Sequence, residues 1–186
     1  MKTIMTCLFA ASIAVAGFMP SVRVDHENRS SHGCYHADIT TAPTGTAVYV
    51  AIENDSFAGI VAVRSDIYFQ KSTDAGRTWL SEDLLVKRGA LFACYPDITT
   101  DRDGNIYLVY TERPSGSEGH FYCVRSTDGG STWSAPVKID DNAAGVKAGW
   151  ARVAVDTAGH LFTAWNQPEG SYLRIFSSVS TDGGMN

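Results

Sequence analysis

Charge is scarce in this chain of 186 residues: 19% of positions are Asp, Glu, Lys or Arg, and no basic block stands out. The 15 Lys and Arg against 20 Asp and Glu leave a net charge of -5, which argues against a nucleic-acid partner. Proline is limited to 6 positions and cysteine to 4. Beyond the first 25 residues no apolar run is long enough to span a membrane. A hydrophobic share of 44% excludes a disordered or collagen-like chain. Glycine, by contrast, is plentiful at 17, and aromatics make up 11%. Glycine turns with many aromatics point to β structure.

The start of the chain reads as a targeting segment. Lys2 gives a positive beginning, an apolar run follows from Ile4 to Phe18, and Ala14-Val15-Ala16 has the small-x-small form of a cleavage site. We expect a signal peptide over residues 1–16, with the cut no later than about residue 25. A membrane anchor is the competing reading, but the run falls short of the roughly 20 residues a span needs. The expected location is therefore secreted or periplasmic, with no membrane association after cleavage. Export implies an oxidising compartment, and Cys7 leaves with the signal. Cys34 and Cys94 are the expected disulfide pair, leaving Cys123 on a strand.

A repeat organises the rest. Ser72-Thr73-Asp74-Ala75-Gly76-Arg77-Thr78-Trp79 returns as Ser126-Thr127-Asp128-Gly129-Gly130-Ser131-Thr132-Trp133, and Ser180-Thr181-Asp182-Gly183-Gly184 opens a third copy. Both intervals are 54 residues. A hairpin signal repeats in phase with it, around Gly45, Gly104 and Gly159, with alternating apolar residues on either side. The first unit carries about five extra residues, placed between Ile52 and Ile67. Each unit reads as four strands; in the second they are expected at 98–100, 106–111, 121–126 and 132–139. Four-stranded units repeated at this period predict an all-β fold, a β-propeller built of such blades. In the Ser-x-Asp motif the carboxylate is expected to cap its own turn, Gly to take the left-handed position, Thr to start the next strand and Trp to pack between sheets.

Ser-x-Asp-x-Gly-x-Thr-Trp is the Asp-box, or bacterial neuraminidase repeat, and over roughly residues 34–186 the chain resembles sialidases and related Asp-box propellers. The boxes are Ser72, Asp74, Gly76 and Trp79; Ser126, Asp128, Gly130 and Trp133; and Ser180, Asp182 and Gly184. The resemblance implies a propeller of six blades when complete. About three would be present here, at about 36–88, 95–140 and 150–186, the last incomplete. Six such units need roughly twice the mature chain. It also implies that the boxes lie on the face opposite the ligand, so that they report fold and not activity.

Candidate chemistry then falls to the opposite face, at the starts of the first strands and the loops after the second. Counted back seven from the hairpin glycines, Asp38, Asp97 and Arg152 occupy equivalent positions, with His36, Tyr95 and Trp150 beside them. The loops add Glu53, Asn54, Asp55 and Ser56, then Glu112 and Arg113, then Asn166, Gln167 and Glu169. The resemblance implies a glycan substrate, arginines for a substrate carboxylate and an aspartic acid as acid/base. Asp55 and Asp97 are the catalytic candidates. Arg152, Arg113, Asp38, Glu112, Tyr95 and Trp150 are the substrate-binding candidates, with Arg88 as a helper. No cofactor is expected. Asp101-x-Asp103-Gly104 has the opening of a calcium loop but lacks its final glutamate, and His32, Cys34 and His36 have no fourth ligand, so no metal site is expected.

The Arg-Ile-Pro string of sialidases is absent. The expected function is thus a secreted sialidase-like exo-glycosidase acting on terminal glycan residues. A non-catalytic propeller binding glycan or protein, or an inactive fragment, are the alternatives. An open third unit would leave a strand edge unpaired, and the isolated chain is expected to be prone to aggregation.

Overall fold

The computed structural model describes residues 20–26, 32–58, 61–115, 118–141, 146–147 and 149–185. The signal-peptide segment lies outside the described residues. Among those described, every regular element is a strand. The first unit comprises β1 (His32–Thr41), β2 (Val48–Ala58), β3 (Val61–Ser72) and β4 (Leu84–Arg88). The second comprises β5 (Phe92–Thr100), β6 (Ile106–Ser115), β7 (Glu118–Ser126) and β8 (Val137–Lys138). The third comprises β9 (Ala151–Val155), β10 (Leu161–Glu169) and β11 (Tyr172–Ser180). Each unit is an antiparallel meander, and one parallel bridge, Ser65 to Phe92, joins the first two.

The hairpins form where the glycines predict them. Gly45, Gly104 and Gly159 have φ of 84°, 85° and 87°, the left-handed region glycine enters without steric cost. In the second turn Asp101 accepts from the amides of Asp103 and Asn105, from the Asn105 side chain at 2.6 Å and from Tyr107 Oη at 2.9 Å. Burial pushes its carboxyl up, but these bonds outweigh that and hold it below the usual range. The lone pairs of the candidate calcium loop are thus spent on folding its own turn.

Strand pairing corrects two expectations. The fourth strand starts at Val137 and not at Thr132, because Thr132 gives both its amide and its hydroxyl to Asp128 and stays in the turn. The extra residues of the first unit are also divided. The β1–β2 connection runs over six residues, 42–47, where β5–β6 uses five, 101–105, and the remainder lengthens the β2–β3 hairpin. Counting from hairpin glycines is therefore sound for the first strand of each unit but one residue out for the second.

Neighbouring units bury one another's faces. Ile67 and Phe69 of β3 pack with Ile98, Ile106, Leu108 and Tyr110 of the second unit. Phe121 and Cys123 of β7 pack with Ala151, Leu161 and Trp165 of the third. Each fully buried side chain of this size contributes about 1.5–3 kcal/mol, so the inter-unit seams are the core.

Candidate functional site

Each unit has two functional ends, and the motif end is spent on structure. Ser72 Oγ donates to Asp74 at 2.8 Å and accepts from the Gly76 amide at 2.9 Å; Asp74 also accepts from the Thr78 amide and hydroxyl. The second motif repeats this with Ser126, Asp128, Gly130 and Thr132. The third does so with Ser180, Asp182, Gly184 and the Met185 amide. Trp133 meets Phe69 edge-on at 5.4 Å, which ties the second motif to the first unit. Trp79 is half-buried beside Gly76. The bonds from Thr78 and Ser72 hold Asp74 down to about 2, and those from Thr132 and Ser126 do the same for Asp128.

At the opposite end the first strands bring the candidates close together, and register decides their roles. Asp38 accepts the Ile98 amide at 2.8 Å, and Asp97 accepts the Val153 amide at 2.7 Å. These bonds clip each unit to the next. Asp97 also takes Arg152 Nη1 at 2.8 Å. Burial pushes the Asp97 carboxyl up, the Val153 amide opposes this, and Asp38 adds repulsion. Two of the expected ligand-facing groups, Asp97 and Arg152, are therefore bound to one another.

A cavity of about 220 Å³ lies beside the clips. His36, Glu53, Asp55, Cys94, Tyr95 and Arg113 contribute to its lining. Asp38, Asp97, Arg152 and Glu112 do not line it. Glu112 instead forms an ion pair with Lys87 at 3.1 Å, and Arg88 lies 3.8 Å from Asp66. Asp55 accepts from Ser65 Oγ at 2.5 Å. Arg113 lies over the Tyr95 ring at 5.1 Å. His36, Tyr95 and Trp150, one from each unit, form an edge-to-face row with centroid separations of 4.7 and 5.7 Å. Such contacts hold aromatic rings in fixed orientation.

Glu53 is the residue the sequence argument left among the loop positions. It is buried on β2, accepts the Tyr95 amide at 2.9 Å and lies 2.8 Å from His36 Nδ1. Burial pushes its carboxyl up, the Tyr95 amide pulls it back, and Asp55 raises it further. Its amide partner Tyr95 sits in a β-bulge with φ of 56°. That conformation costs a non-glycine residue of order 1–3 kcal/mol and clusters at functional sites. The available signal was an acidic residue directly after the apolar run 48–52.

No disulfide joins Cys34 to Cys94: Cys34, Cys94 and Cys123 are all thiols. Cys34 lies eleven residues before Gly45 but Cys94 ten before Gly104, so the two are one step out of phase. Cys34 is exposed and Cys94 buried. Burial pushes the Cys94 thiol up to about 12, with Glu53 adding to it. Among the described residues no group of three His, Cys, Asp or Glu side chains could hold a metal ion.

No protein-family model and no curated protein sequence matches the chain. Its fold does match solved structures. A Dyadobacter fermentans protein of unknown function is 18% identical with a TM-score of 0.67, over 87% of this chain and 55% of that one. An α-L-arabinanase of Penicillium chrysogenum, complexed with arabinobiose, is 15% identical with a TM-score of 0.63, over 80% of this chain and 46% of its own. A Trypanosoma rangeli sialidase is 13% identical with a TM-score of 0.61, over 85% and 30%. The chain thus spans 30% to 55% of these three structures. At such identities the likeness concerns fold alone: the chain has an all-β fold of the β-propeller class.

Proposed function

We propose that the cavity beside Tyr95 is the sugar-binding end of an exported glycoside hydrolase acting on a terminal glycan residue. The observation that carries this is Glu53. A buried carboxyl whose pKa is raised stays protonated longer than an exposed one, which suits a general acid that must protonate a departing glycosidic oxygen. Asp55 supplies a second carboxyl in the same cavity, the pairing that glycoside hydrolysis generally uses. Tyr95 and Trp150 offer stacking faces. Arg113, at the cavity wall, suits an acidic sugar of the sialoside kind, and an arabinoside would use the same stacking faces without it.

Binding without catalysis is favoured by one observation: Glu53 is already held by the Tyr95 amide and by His36. A panel of aryl sialosides and arabinosides separates the two readings. Hydrolysis that falls about 10²–10⁴-fold in Glu53→Gln, with sugar binding retained, supports the enzyme. Hydrolysis undiminished in Glu53→Gln removes Glu53 from the chemistry, and sugar binding without turnover selects the binding module.

A further inference from the structure

Glu53 is held through one oxygen. Oε2 accepts from the Tyr95 amide at 2.9 Å, and His36 Nδ1 lies 2.8 Å from the same atom. Oε1 takes no bond from the described residues and is not sealed from solvent. Glu53 lines the cavity of about 220 Å³, so Oε1 is the oxygen it presents there.

The second unit supplies an internal control. Glu53 stands opposite Ile67, and Thr111 stands opposite Phe121, which lies 54 residues beyond Ile67. Thr111 is buried, and its hydroxyl donates to the Gly149 carbonyl, just before β9, at 2.9 Å. A neutral hydroxyl is therefore enough to bond across a junction from this position. The first unit has a carboxyl there instead, and β1 sets an imidazole against it. His36 and Tyr95 lie nine residues before Gly45 and Gly104, each within the bulge of its strand. The His36 side chain is 49% exposed, so it is not there to fill the core.

Resting on the hydrolase reading above, we propose that His36 is the positioning residue of Glu53. With the Tyr95 amide it ties down Oε2, leaves Oε1 to carry the acid proton, and steadies the carboxylate once that proton has gone. The proton passes from Oε1 to the glycosidic oxygen, the bond between that oxygen and the sugar breaks, and the aglycone leaves as an alcohol. Water gives its hydroxyl to the sugar, and its remaining proton restores Oε1. For this His36 must donate from Nδ1, as an imidazolium does and as the neutral ring protonated at that nitrogen does. The bonds that hold Glu53 thus turn its free oxygen into the cavity and do not remove it from the chemistry. Burial raises the Glu53 carboxyl, the Tyr95 amide lowers it, Asp55 on β2 raises it, and His36 lowers it by charge and by its hydrogen bond. The Cys94 thiol and Tyr95 on β5 and Arg113 on β6 also line the cavity, and β3 brings the uncharged Ser65. Removing the imidazole should therefore send the Glu53 titration upward. The pH at which hydrolysis fades should follow, because a general acid works only while protonated.

Carbon-detected NMR on isotope-labelled protein, with Glu53→Gln assigning the signal, reads the Glu53 titration without any substrate. In His36→Phe, which keeps a ring beside Tyr95 but no donor, the midpoint should rise. In His36→Asn, which keeps a donor near the place of Nδ1, it should rise less, and this variant decides the direction if His36→Phe fails to fold. The declining limb of kcat against pH, on whichever aryl sialoside or arabinoside the protein cleaves, should move the same way. At the optimum of the unsubstituted protein kcat should fall roughly 10- to 100-fold in His36→Phe with KM little changed, and His36→Asn should restore most of it. A midpoint that stays in place without the imidazole, or a loss of kcat with an unmoved limb, would overturn the assignment. A midpoint that rises in a protein that cleaves none of these glycosides overturns the hydrolase reading instead, with His36 still the group that holds Glu53.

Discussion

Asp128 and Glu53 are both carboxylates on repeated strands, and their surroundings drive them in opposite directions. Asp128, at the motif end, takes the Thr132 hydroxyl, the Thr132 amide and Ser126, and is held down to about 2. Glu53, at the axial end, is buried with one amide and one imidazole, and its carboxyl is raised. The motif end is saturated by residues within six positions of one another. The axial end is assembled from three units and keeps a carboxyl that ionises reluctantly. The first arrangement serves stability, and the second suits proton transfer.

The sharpest way to break this comparison is steric. Gly130 has φ of 88°, and a Cβ there would meet the Phe69 ring at 2.2 Å. Gly130→Ala combines left-handed strain of roughly 1–2 kcal/mol with overpacking of roughly 1–3 kcal/mol. At Gly104 the φ is 85° but nothing lies within 4 Å, so Gly104→Ala should cost only the strain. Urea midpoints compare the two, and equal losses would mean that the motif end is not pressed against its neighbour.

A smaller effect separates stability from chemistry. Ser126 is buried, and its hydroxyl accepts from the Gly130 amide while donating to Asp128. Ser126→Ala leaves that amide unsatisfied and should cost about 1–3 kcal/mol, with the proposed hydrolysis by the remaining folded protein intact. Glu53→Gln keeps an acceptor for the Tyr95 amide and should leave the urea midpoint nearly unchanged. If Glu53→Gln destabilises more than Ser126→Ala, the axial carboxyl is a structural clip like Asp38.

What was legible in the sequence follows the same division. The Ser-x-Asp turn was readable because donors and acceptors sit within one short stretch, and the hairpins because glycine alone takes their φ cheaply. Asp38, Asp97 and Arg152 were correctly equated, but their bonds run to residues 55 to 60 positions away and turned them into clips. Glu53 was passed over for a similar reason: its partner Tyr95 lies 42 residues on. The one-residue excess in the first hairpin equates Glu53 with Thr111 and not with Glu112, which no count from Gly45 could reveal.

Titration offers a weaker but two-sided test. The motif aspartates lie near 2 in the folded state against an ordinary value of 3.8, so their contribution is present above 3.8 and lost as pH falls toward 2. Glu53 is raised above its ordinary 4.5, so its contribution favours folding at lower pH and is lost as pH rises through 4.5 toward the elevated value. Asp74→Asn with Asp128→Asn should flatten the acid limb of a stability profile. Glu53→Gln should flatten the decline above 4.5. A Glu53→Gln profile that changes only on the acid limb would place Glu53 with the motif aspartates.

The smallest effect concerns the aromatic row. Trp150 is 55% exposed and touches Tyr95 edge-on, so Trp150→Ala should shift stability by no more than about 0.5 kcal/mol. If its ring is a stacking face, sugar affinity should fall up to about tenfold, the equivalent of the 0.5–1.5 kcal/mol that aromatic contacts contribute. Calorimetric titration on the folded variant measures this directly. A loss of stability without a loss of affinity would assign Trp150 to the seam between the second and third units. The motif end would then hold no monopoly on structural work, and the ligand would have to be sought nearer Arg113 and Asp55.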